Sequence, residues 1–140
     1  MNLFEAYSEQ IKEHSKNPHW TGKCQGENVS FVAHNPLCGD TVTISLVIDN
    51  QTITEARAVV NGCAFCRAST FCLLSSVQGL SKQEALSLID SLLLWSKKTR
   101  EEKPPLDLFA AFTPVCASPM RLKCVTLSWY ALKSAIELSF

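Results

Sequence analysis

Thr41-Val42-Thr43-Ile44-Ser45-Leu46-Val47-Ile48, then Asp49-Asn50-Gln51, then Thr52-Ile53-Thr54-Glu55-Ala56-Arg57-Ala58-Val59-Val60 is the stretch that decides the fold. The first segment alternates, with β-branched residues at Val42, Ile44 and Ile48, as suits a strand with one buried face. The last segment carries Ile53, Ala56 and Val59 among its apolar positions. A polar link this short predicts an antiparallel hairpin.

Working outward, Val29–Ala33 reads as a further short strand, and residues 19–27, polar with two glycines, as a loop. Before them, Leu3, Phe4, Tyr7 and Ile11 share one side of a helix over residues 3–14, and Asn17-Pro18 stops it. After the hairpin, Asn61-Gly62 breaks the strand and a helix runs from near Cys63 to Val77, ended by Gly79. Ser81-Lys82-Gln83-Glu84 is a capping-box pattern that opens a helix to about Lys97, with Leu86, Ile89 and Leu93 on its buried side. The charged run from Lys97 to the double proline at Pro105 reads as an exposed, solvated loop. Leu106–Phe112 supplies one or two helical turns, and Pro114 and Pro119 bracket an irregular stretch. A last helix starts near Arg121, with Leu122, Val125, Trp129, Leu132 and Ile136 as its apolar stripe. Segregated strands and helices predict an α+β fold, a small antiparallel sheet of about three strands covered by helices, with residues 1–140 as one domain.

Composition narrows the function. Thirteen Lys plus Arg balance thirteen Asp plus Glu, without the basic excess of a nucleic-acid binder. A hydrophobic content of 46% marks a folded globular chain, and no apolar run approaches a membrane span. Met1-Asn2-Leu3-Phe4-Glu5 has no basic-then-apolar leader, so a cytoplasmic setting is expected. In a reducing compartment, seven cysteines, an odd number, point to metal binding or thiol chemistry rather than a disulfide framework.

Three of the seven have working contexts. Cys38 sits in Asn35-Pro36-Leu37-Cys38-Gly39-Asp40, between a proline and a glycine, with a carboxylate two residues on. Cys63 opens a helix, whose free N–H groups favour a thiolate, and Gly62 lets the backbone turn sharply before it. Cys124 follows the cation of Lys123 and is expected in the first turn of the last helix. Brought together, three thiols and Asp40 form a four-donor set that zinc accepts. Cys72, inside an apolar run, and Cys24 and Cys116, each alone in a loop-like segment, read as small buried hydrophobes. His14, His19 and His34 lack paired metal spacing. Cys63-Ala64-Phe65-Cys66 is also a Cys-x-x-Cys at a strand-to-helix junction, the placement of a dithiol redox motif, so a thiol–disulfide oxidoreductase using Cys63 and Cys66 is the rival of another class.

Asn35-Pro36-Leu37-Cys38-Gly39-Asp40, Gly62-Cys63 and Arg121-Leu122-Lys123-Cys124-Val125-Thr126-Leu127 resemble the three cysteine motifs of the IscU/NifU N-terminal family of iron–sulfur assembly proteins. His14-Ser15-Lys16-Asn17-Pro18, followed by Gly22, is similar to that family's amino-terminal signature. Lys123, where scaffold-type IscU proteins carry histidine, and the long span from Cys63 to Cys124 resemble the SufU branch. The resemblance implies a zinc site of Cys38, Asp40, Cys63 and Cys124, and a SufS-type pyridoxal-phosphate cysteine desulfurase as partner. It implies a sulfurtransferase-like role, accepting persulfide sulfur on Cys38 for iron–sulfur cluster assembly; Cys38, on a loop, moves more easily than thiols on helices. A [2Fe–2S] scaffold built on the same cysteines is the alternative. Cys66 and Arg67 depart from the family, which is rich in small residues and serine there. Lys123 and Cys66 are accessory candidates: the lysine offsets the site's negative charge, and Cys66 is either a spare thiol facing the site or one that merely lies on the side of the helix.

Overall fold

A computed structural model describes residues 3–16, 19–98 and 103–140, with side chains from Tyr7 onward. The expected stop at Asn17-Pro18, residues 99–102 of the charged loop, and the side chains of Leu3 and Phe4 lie outside the described residues. The elements are α1 (Leu3–Ser15), β1 (Val29–His34), β2 (Thr41–Asp49), β3 (Thr52–Asn61), α2 (Ala64–Val77), α3 (Lys82–Ser96), 3₁₀ turns at Asp107–Phe112 and Val115–Ala117, and α4 (Pro119–Leu138).

The strands form one antiparallel sheet in the order β1-β2-β3. Ile44 of β2 stands between Phe31 of β1 and Ala58 of β3, and the β2–β3 register shifts at Val47/Ile48. Alternation places Val42, Ile44 and Leu46 of β2 and Ile53, Ala56 and Ala58 of β3 in the core. α4 packs over β1 and β2, while α2 packs over β3 and against α1 and α4. This is the expected α+β architecture. The hairpin turn has its two central residues, Asn50 and Gln51, at positive φ (51° and 67°), the backbone a tight two-residue hairpin requires.

The outer edge of β3 is covered by neighbouring segments. The loop before β1 adds a one-residue parallel bridge, with Ala58 N–H donating to the Trp20 carbonyl and Gly22 N–H to the Ala58 carbonyl, both at 2.9 Å. Beyond α2, Ile53 donates to the Leu80 carbonyl and accepts from Gly79 N–H, both at 2.8 Å. Gly79, at φ +82°, ends α2 as expected. The Ser81–Glu84 capping box is present in both directions.

α4 begins two residues earlier than the sequence reading placed it. Pro119 is its first residue rather than the edge of an irregular stretch, because a proline at that position loses no helical hydrogen bond. The segment between Pro114 and Pro119 is itself a 3₁₀ turn. Val125, Trp129, Leu132 and Ile136 are fully buried, and Trp129 packs edge-on to Phe109 at 5.7 Å. α2 and α4 are tied by the buried Ser69 hydroxyl, which donates to the Val125 carbonyl at 2.6 Å. That bond lies one residue from Cys124 and so fixes where α4 presents it.

Candidate metal centre

The site forms where the sheet, α2 and α4 meet. His34 and Thr41 are the last pair of the β1–β2 ladder, so residues 35–40 are the connection of that hairpin. The loop is closed from within: Asn35 N–H donates to the Asp40 carbonyl and Gly39 N–H to the Asn35 carbonyl, both at 2.8 Å. Leu37 N–H donates to Asn35 Oδ1 at 3.1 Å. Gly39 sits at φ +74°, where a side chain would be strained. Cys38 is exposed near the loop's tip, whereas Asp40 at its base is 4% exposed.

Thr41 also pairs with Asn61, so the end of β3 delivers Gly62 and Cys63 beside this loop. Cys63 is the N-cap of α2. Its N–H donates to Asp40 Oδ1 at 3.3 Å and its sulfur lies 3.6 Å from Asp40 Oδ2. Gly62 serves differently from the sharp turn the sequence suggested: it is not among the positive-φ residues. A Cβ there would stand 2.9 Å from both Cγ and Oδ1 of Asp40. The absent side chain is the space the carboxylate occupies.

Cys124 reaches the site from α4, its sulfur 3.7 Å from that of Cys38. With α4 starting at Pro119, Cys124 stands in the second turn, not in the first as expected. It is buried, and burial raises its thiol above the ordinary value; the neighbouring Cys38 and Cys63 raise it further. A positive ion among these sulfurs is the natural compensation for so unfavourable a thiolate.

The donor atoms of Cys38, Asp40 and Cys124 lie within 4.8 Å of one another; Cys63 stands outside that group of three and touches it through Asp40. Tetrahedral bonds of about 2.3 Å to sulfur and about 2.0 Å to oxygen place two sulfurs about 3.8 Å apart, and sulfur and oxygen about 3.5 Å apart. The observed 3.7 and 3.6 Å fit that pattern. No histidine joins the group among the described residues. Lys123 is exposed and turns to a neighbouring groove of about 290 Å³, lined with His34, Pro36, Leu37 and Tyr130.

Cys66, in the first turn of α2, has no accessible surface. Burial pushes its thiol up to about 12, with Asp40 and Cys63 adding to the rise. Cys72 and Cys24 are buried as expected for small apolar side chains, and Cys116 is half-buried. One feature escaped the sequence reading: the Arg121 guanidinium stacks over Phe65 at 4.6 Å, joining the starts of α4 and α2 next to the thiols. Only the fold places those residues together.

A helix-covered three-stranded sheet with three thiols and a carboxylate gathered at one end defines a small α+β protein organised around a cysteine-rich centre. Residues 6–94 match the model of the NifU-like N-terminal domain, and the chain belongs to that family, whose members assemble iron–sulfur clusters. It is 34% identical to the iron–sulfur cluster assembly scaffold protein IscU of Streptococcus pyogenes serotype M1, over 95% of this chain and 84% of that protein. It is 28% identical to the zinc-dependent sulfurtransferase SufU of Bacillus subtilis, over 96% of this chain and 92% of the other. The crystal structure of SufU from Fervidobacterium islandicum AW-1 superposes with a TM-score of 0.81, at 28% identity, covering 96% of this chain and 99% of that one. Among the described residues no helix is long and apolar enough to cross a membrane.

Proposed function

We propose that this protein is a zinc-containing sulfur-transfer protein, which accepts persulfide sulfur on Cys38 from a SufS-type, pyridoxal-phosphate-dependent cysteine desulfurase for iron–sulfur cluster assembly. Cys38, Asp40, Cys63 and Cys124 would hold the metal, and residues 1–140 would act as one unit. The observation that carries the reading is the gathering of Cys38, Asp40 and Cys124, whose donor atoms lie within 4.8 Å of one another, with the Cys63 sulfur 3.6 Å from Asp40. The zinc-dependent SufU relative supports it. Bound zinc supplies a positive charge that keeps the thiols deprotonated at neutral pH, without redox chemistry of its own.

The chain's residues divide the work. Asp40 is buried and receives the Cys63 N–H, so it orients the start of α2 as well as offering an oxygen. Cys124, buried on α4, is a fixed anchor. Cys38 is exposed on a loop tip and is the thiol a partner can reach. Its thiolate attacks the outer sulfur of the donor's persulfide; a sulfur–sulfur bond forms at Cys38, the donor's own breaks, and the donor cysteine departs as a thiolate. The transfer needs no outside oxidant or reductant. Lys123 and Arg121 supply exposed positive charge at this end of α4.

Two measurements test this. Purified protein should contain about one zinc per chain. The Cys38→Ser variant should fold yet no longer accelerate the desulfurase; undiminished stimulation by that variant would remove Cys38 from the role. The scaffold reading has support in the IscU relative. It requires stable, stoichiometric visible absorbance after anaerobic reconstitution with iron and sulfide. Lys123, a cation where a further ligand would stand, favours sulfur transfer over it.

A further inference from the structure

Cys66 is the thiol next to the centre that neither reading above employs. Cys63 is exposed and caps α2 with an extended backbone (φ −71°, ψ 170°), and its side chain makes no capping bond. Cys66 is fully buried in the first turn of the same helix. An accessible first thiol at a helix start and a shielded second thiol one turn in is the order found in dithiol redox motifs. Residues three apart at a helix start have Cβ atoms about 5–6 Å apart, and a disulfide needs about 3.5–4.5 Å. The gap closes by adjusting Cys63 alone, because it lies outside the helical turn. The charged groups acting on Cys66 are Asp40, Cys63 and Cys38, all proposed ligands.

We propose that Cys63 and Cys66 form a reversible disulfide under hydrogen peroxide, which withdraws Cys63 from the donor group and protects it from irreversible oxidation. The Cys63 thiolate attacks peroxide, the O–O bond breaks, and Cys63 becomes a sulfenic acid with release of hydroxide. Cys66 then attacks the Cys63 sulfur; the S–S bond forms, the S–O bond breaks, and water leaves with the proton from Cys66. One thiolate and one thiol are oxidised, and one peroxide is reduced to a hydroxide and a water. A dithiol reductant restores both thiols by exchange. Cys66 suits this step because it is not one of the four residues proposed to hold the metal, whereas Cys38 and Cys124 are. The inference extends the metal reading without depending on sulfur transfer.

The test is a peroxide titration of the zinc-loaded full chain, read by tryptic peptide mapping and zinc release. Cleavage after Arg57 and Arg67 isolates residues 58–67, which hold both cysteines and no other. The expected product is this peptide lighter by two hydrogens, appearing in step with zinc release, with most of the zinc rebound after dithiothreitol. Cys66→Ser should lose zinc at similar doses, accumulate sulfinic acid on Cys63 and recover little. A Cys38–Cys124 disulfide with Cys66 still open to alkylation after unfolding would overturn the proposal, as would equal recovery by a folded Cys66→Ser protein. If that variant fails to fold, the wild-type peptide map decides alone.

Discussion

The two ends of the central hairpin are built on opposite terms. At the far end, β2 and β3 meet through the minimal turn Asn50-Gln51, and every neighbouring segment is tied down. Gln78 bonds the Ala56 backbone with both atoms of its amide (2.9 and 3.1 Å), imitating another strand. Ser81 and Glu84 cap α3 reciprocally, and buried Lys82 donates to the Ser139 carbonyl and packs under the Phe140 ring. At the near end, the six-residue loop 35–40 leaves Cys38 in the open beside an exposed Cys63. The far end is tied where nothing reacts; the near end leaves two thiols open to solvent.

That contrast can be broken from the near end first. Asp40→Ala should give the largest effect, removing a donor and the acceptor for Cys63 N–H; zinc affinity, read by competition with a chromogenic chelator, should fall by at least about 100-fold. Gly62→Val should follow, with a loss of about 10–100-fold, because its side chain would occupy the space of the Asp40 carboxylate. A Gly62→Val protein with undiminished affinity would mean that Asp40 is no ligand.

The far end should answer in stability alone. Ser81→Ala should cost about 1 kcal/mol in urea unfolding without altering zinc content. Hydrogen bonds from the Ser81 backbone and side chain hold Glu84 below its ordinary pKa. Its folded value is thus below its unfolded one, so the stabilisation is complete above the unfolded pKa and disappears as pH falls through the folded one. The gap between wild type and Ser81→Ala should narrow on acidification. Gln51→Gly should have the smallest effect, a gain of about 0.5 kcal/mol, because Gln51 holds a left-handed backbone that glycine adopts freely. A change in zinc affinity from either variant would show that the two ends are coupled.

The legibility of the sequence divides along similar lines. The far end was open to reading because its signals are local: a short polar turn between alternating segments, a glycine after α2, a serine three residues before a glutamate. The ordering of the near end was visible, since Cys38, Asp40, Cys63 and Cys124 stand in distinctive contexts. Its physics was less so. Pro119 reads equally as a breaker and as the first residue of a helix, and choosing the breaker put Cys124 one turn too early. The reason for Gly62 lay 22 residues back, in the carboxylate of Asp40, and no local pattern encodes that approach. The same holds for Arg121 over Phe65, and for the Thr21–Ala58 bridge, which joins a segment read as plain loop to the sheet.

Pro36, Leu37 and Cys38 project from a base clamped by the Asn35–Asp40 and Gly39–Asn35 bonds, and Leu37 is 64% exposed. The cysteine therefore rides on a short finger whose knuckle belongs to the sheet. A visiting protein needs only a narrow slot to receive the fingertip, and the finger can flex there while the strands behind it keep their register.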